Sequence, residues 1–365
     1  MIIKLGKVIS EYSVRNKADE NIPVYSVTND KGFCTNYFSK DVSSKDRTTY
    51  KIVPYGYFAY NPSRINVGSV DWQHYEKKVI VSPLYVVFYV DEVIDQRYLL
   101  HYLKSDITLK FIKSNSAGSV RDNLKLSVLQ EFSINLRTKE EQYKIVNILD
   151  KVDLLISLYT EKLEKFDELT KSLFIEMFGN LGEDIFGGGL KFLKDVCQIN
   201  PKKDNYIANI KDFLVSFVPM SAVSESGEID TTIIKCYDEV KKGFTSFIED
   251  DVLFAKITPC MENGKGAIAK KLKNSVGFGS TEFHVLRPLK DKSNSAWIYY
   301  LTSFSHFRKE AEIKMTGSAG QRRVPASFLE NYKIALPPLE LQNKFANFVR
   351  EIDKSKYSSF LHLSA

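Results

Sequence analysis

The chain repeats itself at a spacing of about 200 residues, and this duplication limits its possible folds more than any other feature of the sequence. The tripeptide Ser116–Gly118 recurs as Ser318–Gly320, and the stretch Phe132–Leu136 is matched by Tyr332–Leu336. One tripeptide match would arise by chance, but an ordered series at a nearly constant offset indicates a duplicated unit. Further matched pairs are Phe58-Ala59 with Phe254-Ala255, Gln142 with Gln342, and Asp153 with Asp353.

Each copy has the same order of predicted elements. Short segments such as Tyr85–Val90 and Phe283–Leu286 have the composition and turn signals of strands. A helix is predicted next, over Gln96–Lys104 in the first copy and Ser295–Glu310 in the second, and the Ser-Ala-Gly turn and a long amphipathic helix follow. We therefore predict an α+β fold in which two pseudo-repeated globular α/β domains are separated by long antiparallel coiled-coil helices.

The long helix is clearest in the first copy. Thr138 and Glu141 form a capping-box pair that predicts its start, and Gly179 is a suitable C-terminal cap. About forty residues at roughly 1.5 Å each give a rod of about 60 Å. The heptad-like apolar period favours a coiled-coil seam over a helix that packs only on its own domain. We predict a seam, also used for partner docking, that contains Ile145, Ile148, Val152, Leu155, Tyr159, Leu163 and Phe166 in the first copy and Phe345, Phe348 and Ile352 in the second.

The charge is distributed unevenly along the chain. The formal net charge is +6, yet the helical segment 138–180 has six lysines, no arginine and nine acidic residues, a balance of −3. The rest of the chain therefore carries +9, which is a mild bias toward polyanions. The 24 phenylalanines and 20 tyrosines either build β-rich cores or stack on nucleotides. Charge and aromatic content alone leave the function open.

The cysteines and histidines argue against several kinds of site. The four cysteines lie far apart and form no C-x-x-C pair, so we expect neither a zinc ribbon nor a disulfide framework. The five histidines are equally scattered, and no metal site is evident. The N-terminus lacks the layout of a signal peptide, and the apolar run Val79–Val90 is too short to span a bilayer. We expect a cytoplasmic protein without a membrane segment.

Several stretches resemble one protein family. The unit Ile334–Gln342, which follows the turn Gly317–Val324, resembles the boundary between a target-recognition domain and a conserved helix in the specificity subunits of type I restriction-modification systems. Phe254–Gly266 and Gly277–Pro288 look like parts of that family's recognition domains, and Tyr60–Gly68 resembles a variant of the same loop. The resemblance covers essentially the whole chain and occurs in both copies.

The resemblance implies a division into four segments. A first target-recognition domain would span residues 1–137 and a central conserved helix 138–180. A second target-recognition domain would span 181–336, and a C-terminal conserved helix 337–365. Each recognition domain would read one half of a bipartite site in double-stranded DNA, while the helices set the spacing between the halves.

The resemblance also implies partners that perform the chemistry. The chain itself would be neither an enzyme nor a cofactor-binding protein. It would direct methylation by methyltransferase (modification) subunits, expected to number two, which bind S-adenosylmethionine. A motor-nuclease (restriction) subunit would use ATP and Mg for cleavage.

Two departures from the family pattern concern the helices. The first copy has Arg137-Thr138 where the second has Pro337-Pro338, which is a minor change because the capping box still starts a helix. The second helix has a less regular end and is expected to be about thirteen residues shorter than the first. We therefore expect weak or incomplete recruitment of a second methyltransferase copy.

Candidate DNA contacts in the second copy lie in two loops. Glycines permit close backbone approach, lysine supplies charge for phosphate, and glutamate, asparagine and arginine are side chains that contact base edges. A plain hairpin turn and a surface salt bridge are the alternatives for these loops. The first loop contains Lys256, Thr258, Glu262, Asn263 and Lys265, and the second contains Ser318, Gln321, Arg322 and Arg323.

The first copy offers a corresponding set. Asn61 and Arg64 lie in the variant loop, where Pro62 adds rigidity, although Asn-Pro is also a common turn former. The counterparts of the Ser-Ala-Gly region are short polar donors that suit phosphates or bases. They are Lys113, Ser114, Asn115, Ser116 and Arg121.

Two other functions remain open at this point. A stand-alone DNA-processing enzyme is one, although Asn61–Arg64 departs from the amino-methyltransferase motif and Gly187–Gly189 does not fit the dinucleotide-binding loop. A coiled-coil adaptor without nucleic-acid function is the other. The DNA sequence read, its spacer, and the division between base and phosphate contacts do not follow from one sequence.

Overall fold

The structure is a computed structural model that describes residues 1–35, 47–116, 123–179, 182–202, 212–318 and 320–364. The chain divides into two compact units, Met1–Ser157 and Leu158–Ala365. The division falls inside one long helix. The predicted Ser-Ala-Gly turns are only partly described, because Ala117, Gly118 and Ala319 lie outside these ranges.

The first unit combines short strands with helices. Its strands are β1 Ile2–Lys4, β2 Ile9–Glu11, β3 Ser26–Thr28, β4 Gly32–Cys34, β5 Lys51–Pro54, β6 Phe58–Tyr60, β7 Val70–Trp72, β8 Lys78–Val81, β9 Val86–Val90 and β10 Ser133–Asn135. Its helices are α1 Gln96–Lys104, α2 Asp106–Ser116, α3 Leu126–Gln130 and the first part of α4 Lys139–Phe178.

The second unit repeats this plan around its central sheet, although its other strands pair differently. Its strands are β11 Leu190–Phe192, β12 Cys197–Ile199, β13 Leu214–Val218, β14 Ile234–Cys236, β15 Thr245–Ile248, β16 Val252–Ala255, β17 Gly266–Ile268, β18 Val276–Gly279, β19 Phe283–Pro288 and β20 Lys333–Ala335. Besides the last part of α4, its helices are α5 Tyr237–Val240, α6 Ser295–Ser303, α7 Ser305–Ile313, α8 Ala326–Asn331 and α9 Leu339–Ser364.

Equivalent antiparallel sheets form the centre of each unit. Four strands follow the order β2-β9-β6-β7 in the first unit and β12-β19-β16-β17 in the second. A two-stranded sheet, β1-β10 or β11-β20, pairs the first strand of each unit with the strand that precedes α4 or α9. The predicted α+β class and the duplication are therefore confirmed. The remaining sheets differ, since β14-β13-β18-β15 stands where the first unit has the pairs β3-β4 and β5-β8.

One of the two inner strands of each four-stranded sheet, β6 in the first unit and β16 in the second, is apolar because it is covered on both faces. All four residues of β16 are buried, and so are all three residues of β6. Phe254 packs edge-on against Phe307 of α7, with ring centroids 5.9 Å apart, and Phe58 stacks on Phe88 at 5.1 Å. A continuous apolar run is typical of strands covered in this way. Both strands are therefore buried up to the last residue before the loops that follow them.

The helices after the central sheet depart from the sequence prediction in the second unit. The predicted helix Gln96–Lys104 is confirmed as α1, but Ser295–Glu310 is two helices, because Phe304 has an extended backbone with ψ 141°. The Phe304 ring packs against Phe174 of α4, with centroids 4.8 Å apart. The helix therefore breaks at an apolar residue, and no glycine or proline in the sequence indicates the break.

The predicted long helix is present as α4, which has 40 residues. The Thr138 hydroxyl oxygen accepts from the Glu141 amide at 3.3 Å, and a Glu141 carboxylate oxygen accepts from the Thr138 amide at 3.0 Å. Both bonds of the predicted capping box are thus formed. Gly179, with φ 57°, ends the helix and donates its amide to the Ile175 carbonyl at 2.7 Å.

Within the second unit, the last part of α4 runs antiparallel to α9. Phe345, near the start of α9, packs edge-on against Phe174 and Phe178, with ring centroids 5.3 and 5.4 Å away. Further along α9, Lys356 pairs with Asp167, which precedes Phe174 in α4. Contacts that advance along one helix and recede along the other confirm the predicted antiparallel arrangement in this unit. α9 has 26 residues and continues as a helix to Ser364.

Candidate nucleic-acid interface

The two predicted contact loops of the second unit lie side by side. Thr316 and Arg323 exchange both backbone hydrogen bonds, at 2.8 and 3.0 Å, which closes the turn that contains Ser318 and Gln321. The Thr258 amide then donates to the Arg322 carbonyl at 3.0 Å, and the Val324 amide donates to the Lys256 carbonyl at 2.9 Å. Strand-like pairing between segments more than 60 residues apart therefore brings Lys256, Thr258, Arg322 and Arg323 into one cluster.

Arg323 is held by the carboxylate of Glu282, a residue that the sequence pattern does not predict for the site. Its Nε and Nη2 donate to the two carboxylate oxygens of Glu282 at 2.9 and 2.8 Å. These bonds hold the pKa of Glu282 below its ordinary value. Glu282 reaches this position because β16 and β19 pair with Ala255 opposite Phe283. The only sequence signal for Glu282 was its place in the stretch Gly277–Pro288.

Arg322 is held more loosely than its neighbour. Its Nη2 lies 3.7 Å from a carboxylate oxygen of Glu262 and 3.7 Å from one of Glu312. Glu262 instead accepts a hydrogen bond from the Thr258 hydroxyl at 2.8 Å. Without DNA, both arginines therefore lie near carboxylates, as the surface-salt-bridge alternative predicts. Their side chains nevertheless remain exposed, at 39% for Arg322 and 41% for Arg323.

The rest of the first loop is a tight turn that packs on Arg308 of α7. Gly264 has φ 91°, a conformation that favours glycine, and Asn263 beside it is exposed. Lys265 donates its ammonium group to the Met220 carbonyl at 3.3 Å. Arg308 of α7 is buried under this turn and donates from Nη1 to the Met261 carbonyl at 2.6 Å. Burial lowers the pKa of Arg308 to about 10, so it stays charged at neutral pH.

A buried histidine fixes the backbone beside Arg323. His284 Nε2 donates to the Val324 carbonyl at 2.8 Å, and its Nδ1 accepts from the side-chain amide of Asn200 at 3.0 Å. Both contacts suit the neutral ring, and burial lowers the pKa of His284 below its ordinary value of 6.5.

The first unit has the same arrangement with different side chains. The loop after β6 bonds to the segment that follows α2, since the Leu124 amide donates to the Pro62 carbonyl at 3.1 Å. The Tyr60 hydroxyl donates to the Leu124 carbonyl at 3.1 Å, where the second unit uses His284 on Val324. Gly68, with φ 90°, takes the same conformation as Gly264 and likewise precedes the next strand.

The predicted first-unit residues fall on two parts of this arrangement. Arg64 is exposed on the loop, and the Asn61 side chain accepts from the Ser63 amide at 3.1 Å. Lys113, Ser114, Asn115 and Ser116 lie in the last turn of α2 rather than in a loop. The side chains of Ser114 and Asn115 both donate to the Phe111 carbonyl. Arg121 lies outside the described residues.

The predicted seam residues divide into three groups by burial. Phe345 and Ile352 of α9 are buried, together with Val349. Half-buried members are Ile145, Tyr159, Leu163, Phe166 and Phe348. Ile148, Val152 and Leu155 are exposed, at 63%, 45% and 51% of their surface. The middle of α4 therefore presents apolar side chains to its surroundings.

The described ranges hold neither a metal-binding cluster nor a membrane-spanning helix. Among those residues, no group of three or more histidine, cysteine, aspartate or glutamate side chains is placed to hold a metal ion. No helix within them is both long and apolar enough to cross a bilayer.

Comparison with known proteins assigns the family. A family model described as "Type I restriction modification DNA specificity domain" matches residues 2–167 and again residues 189–358. Because these matches cover most of the chain, the chain belongs to this family. The two matched ranges each contain one copy of the duplicated unit.

Relatives with curated names are specificity subunits. The chain is 45% identical over 148 residues to the type I restriction enzyme EcoEI specificity subunit of Escherichia coli, covering 40% of this chain and 24% of that protein. It is 40% identical over 181 residues to the EcoAI subunit of the same species, covering 47% and 30%. The matches thus span about a quarter to a third of these two relatives. The MjaVIII subunit of Methanocaldococcus jannaschii is 22% identical over 313 residues, with 76% and 68% covered.

Two solved structures share the fold. A chain from a structure concerned with complex assembly and conformational transition of the type I R-M system has a TM-score of 0.55 at 18% identity, with 100% of this chain and 93% of that chain covered. The S subunit from M. genitalium has a TM-score of 0.54 at 13% identity, with 100% and 92% covered.

Proposed function

We propose that this chain is the DNA-sequence-reading subunit of a type I restriction-modification complex. Each unit would read one half of a bipartite site in double-stranded DNA. The chain would have no catalytic role of its own. Methylation would belong to modification subunits that bind S-adenosylmethionine, and cleavage to a restriction subunit that uses ATP and Mg.

One observation carries this proposal. In both units, the loop after β6 or β16 hydrogen-bonds to the segment that follows the second helix of a pair. The Leu124 amide donates to the Pro62 carbonyl in the first unit, and the Thr258 amide donates to the Arg322 carbonyl in the second. Basic and amide side chains that are at least partly exposed surround both junctions, with Arg64 and Asn61 in one unit and Arg322 and Arg323 in the other. Loops that are joined by backbone hydrogen bonds and present such side chains suit the base edges and phosphates of a duplex.

The helices supply the second part of the proposal. α4 belongs to both units, and its exposed residues Ile148, Val152 and Leu155 form an apolar surface of the kind that binds protein partners. We assign this surface to the methyltransferase subunits, two of which would bind one chain. The length of α4 would set the spacer between the two half-sites.

The test uses the full chain assembled with its modification subunits and maps the methylated sites. Arg64→Ala should relax the sequence of one half-site and Arg323→Ala that of the other, each by about 1–3 kcal/mol if the side chain reads a base. Arg350→Ala, which removes an arginine from α9, is the matched control. Variants that change both halves together, or neither, would contradict the assignment of one half-site to each unit.

A further inference from the structure

The Arg323 guanidinium uses only some of its N–H donors within the protein. An arginine side chain has five N–H donors in a planar fork. Glu282 takes one from Nε and one from Nη2, and the Gln321 carbonyl takes one from Nη1 at 3.0 Å. Within the described part of the chain, this leaves one donor on each terminal nitrogen. The Arg323 side chain is 41% exposed, so part of it is open to a ligand.

Both members of the pair are anchored through their backbones. The Arg323 amide donates to the Thr316 carbonyl at 2.8 Å, and Arg323 also pairs with Ile257. On the other side, the Glu282 carbonyl accepts from the Lys256 amide at 2.9 Å, and the Glu282 amide donates to the Ser280 hydroxyl at 3.2 Å. A two-point contact between two anchored side chains fixes the plane of the guanidinium before any ligand binds.

We propose that Glu282 is a specificity-determining residue of the DNA site and that it acts through Arg323. Glu282 orients the guanidinium so that its two remaining donors meet the N7 and O6 acceptors of one guanine in the major groove. This inference rests on the proposed function. Glu282 is a positioning residue, because the contact with the base is made by Arg323.

The neighbouring Arg322 lacks a two-point contact that would orient its guanidinium. Arg322 has the same chemistry, but its nearest carboxylate oxygens are 3.7 Å away, beyond hydrogen-bonding distance. It can therefore swing toward the DNA backbone as a mobile charge, and we assign it to a phosphate. A carboxylate near the duplex also repels phosphates, so Glu282 weakens binding to every sequence while strengthening the choice among them.

The experiment measures base preference with the full chain assembled with its modification subunits. The wild-type site is first found by mapping methylated bases. Competition binding then uses duplexes that carry each of the four base pairs at each position of the site. The variants are Arg323→Ala, Glu282→Gln, their double mutant, and Asp238→Asn. The last is the control, because it removes an exposed carboxylate, paired with Lys241, from α5.

We expect Arg323→Ala to lose the preference for guanine at one position by roughly 5- to 150-fold. Glu282→Gln should lose at least about fivefold at the same position, while its affinity for other duplexes is unchanged or higher. The double mutant should have the same base preference at that position as Arg323→Ala alone, because both substitutions remove the same orienting interaction. Asp238→Asn should keep the full preference.

The two ideas fail in different ways. If Arg323→Ala relaxes a position but Glu282→Gln leaves that preference intact, the orienting role is overturned and the proposed function stands. Equal weakening at every sequence by Glu282→Gln, or additive losses in the double mutant, overturns the orienting role as well. If Arg323→Ala changes no position, the base contact in the proposed function fails, and this inference fails with it.

Discussion

Two glutamines at matched positions show how single residues join the long helices to the sheets. The buried Gln142 side chain accepts from the Asp95 amide at 2.7 Å and donates to the Val93 and Arg137 carbonyls at 3.0 and 2.9 Å. Gln342 makes the equivalent three bonds in the second unit, to Asn294, Lys292 and Pro337. Each glutamine connects the first turn of a long helix to the N-cap of α1 or α6.

Replacing Gln142 by leucine should destabilise the first unit. The change removes three hydrogen bonds and leaves their buried partners unsatisfied, at a cost of about 3 kcal/mol or more. Urea unfolding of the full chain, with hydrogen exchange at the Asp95 amide as the local readout, measures this. Gln198→Leu, at an exposed position of β12, is the matched control. Equal stability of the two variants would contradict the role of Gln142.

His284 makes the second unit sensitive to pH. Because burial lowers its pKa below 6.5, the unfolded chain binds a proton that the folded chain does not as the pH falls through that value. The second unit therefore loses stability below about pH 6.5, by up to ~1.4 kcal/mol per pH unit. Lys256 strengthens the effect and Glu282 opposes it.

Melting temperatures measured between about pH 7 and pH 5 test this expectation. His284→Gln retains a donor for the Val324 carbonyl but cannot titrate, so its melting temperature should fall less steeply with pH than that of the wild type. Parallel curves for the two proteins would show that His284 does not contribute.

At the scale of elements, the middle of α4 is its most distinctive part. Ile148, Val152 and Leu155 lie on a helix whose start and end are both tied down, yet they are exposed. Ile148→Lys or Leu155→Lys should reduce co-purification of the methyltransferase subunits by about tenfold or more, since a charge placed in an apolar interface costs several kcal/mol. Asn147→Lys adds the same charge at a polar position of α4 and should assemble normally. Full assembly of both Ile148→Lys and Leu155→Lys would show that the methyltransferase subunits do not bind at this surface.

The helices were more predictable from sequence than the contacts they make. Caps and apolar period are local properties, so α1 and the start of α4 were predicted within a residue. The break at Phe304 is not evident from the sequence, because Phe304 packs against a ring of α4 that is distant in the chain. In the candidate site, arginines after a repeated turn are visible in the sequence. The approach of Glu282 is not, because it depends on the register between β16 and β19.

At the scale of the whole molecule, the duplication separates a common frame from variable surfaces. The four-stranded sheets, the helix pairs and the two glutamines recur in both units, whereas the side chains at the loop junctions differ. Tyr60 in one unit and His284 in the other hold equivalent carbonyls, at Leu124 and Val324. Two surfaces of different chemistry on one frame suit the proposed reading of two different half-sites.

The length of α4 should determine the spacer between the two proposed half-sites. Four residues inserted after Ser157 add about 6 Å of helix and rotate the remainder of α4 by only about 40°. The insertion precedes the contacts of Asp167 and Phe174 with α9, so that pairing should survive. At about 3.4 Å per base pair, the preferred spacer should grow by one or two base pairs. The half-site sequences should stay the same, because neither loop junction is altered.

Selection from duplexes with variable spacers, followed by mapping of methylated sites, distinguishes the outcomes. An active variant that keeps the original spacer would mean that α4 does not set the distance between half-sites.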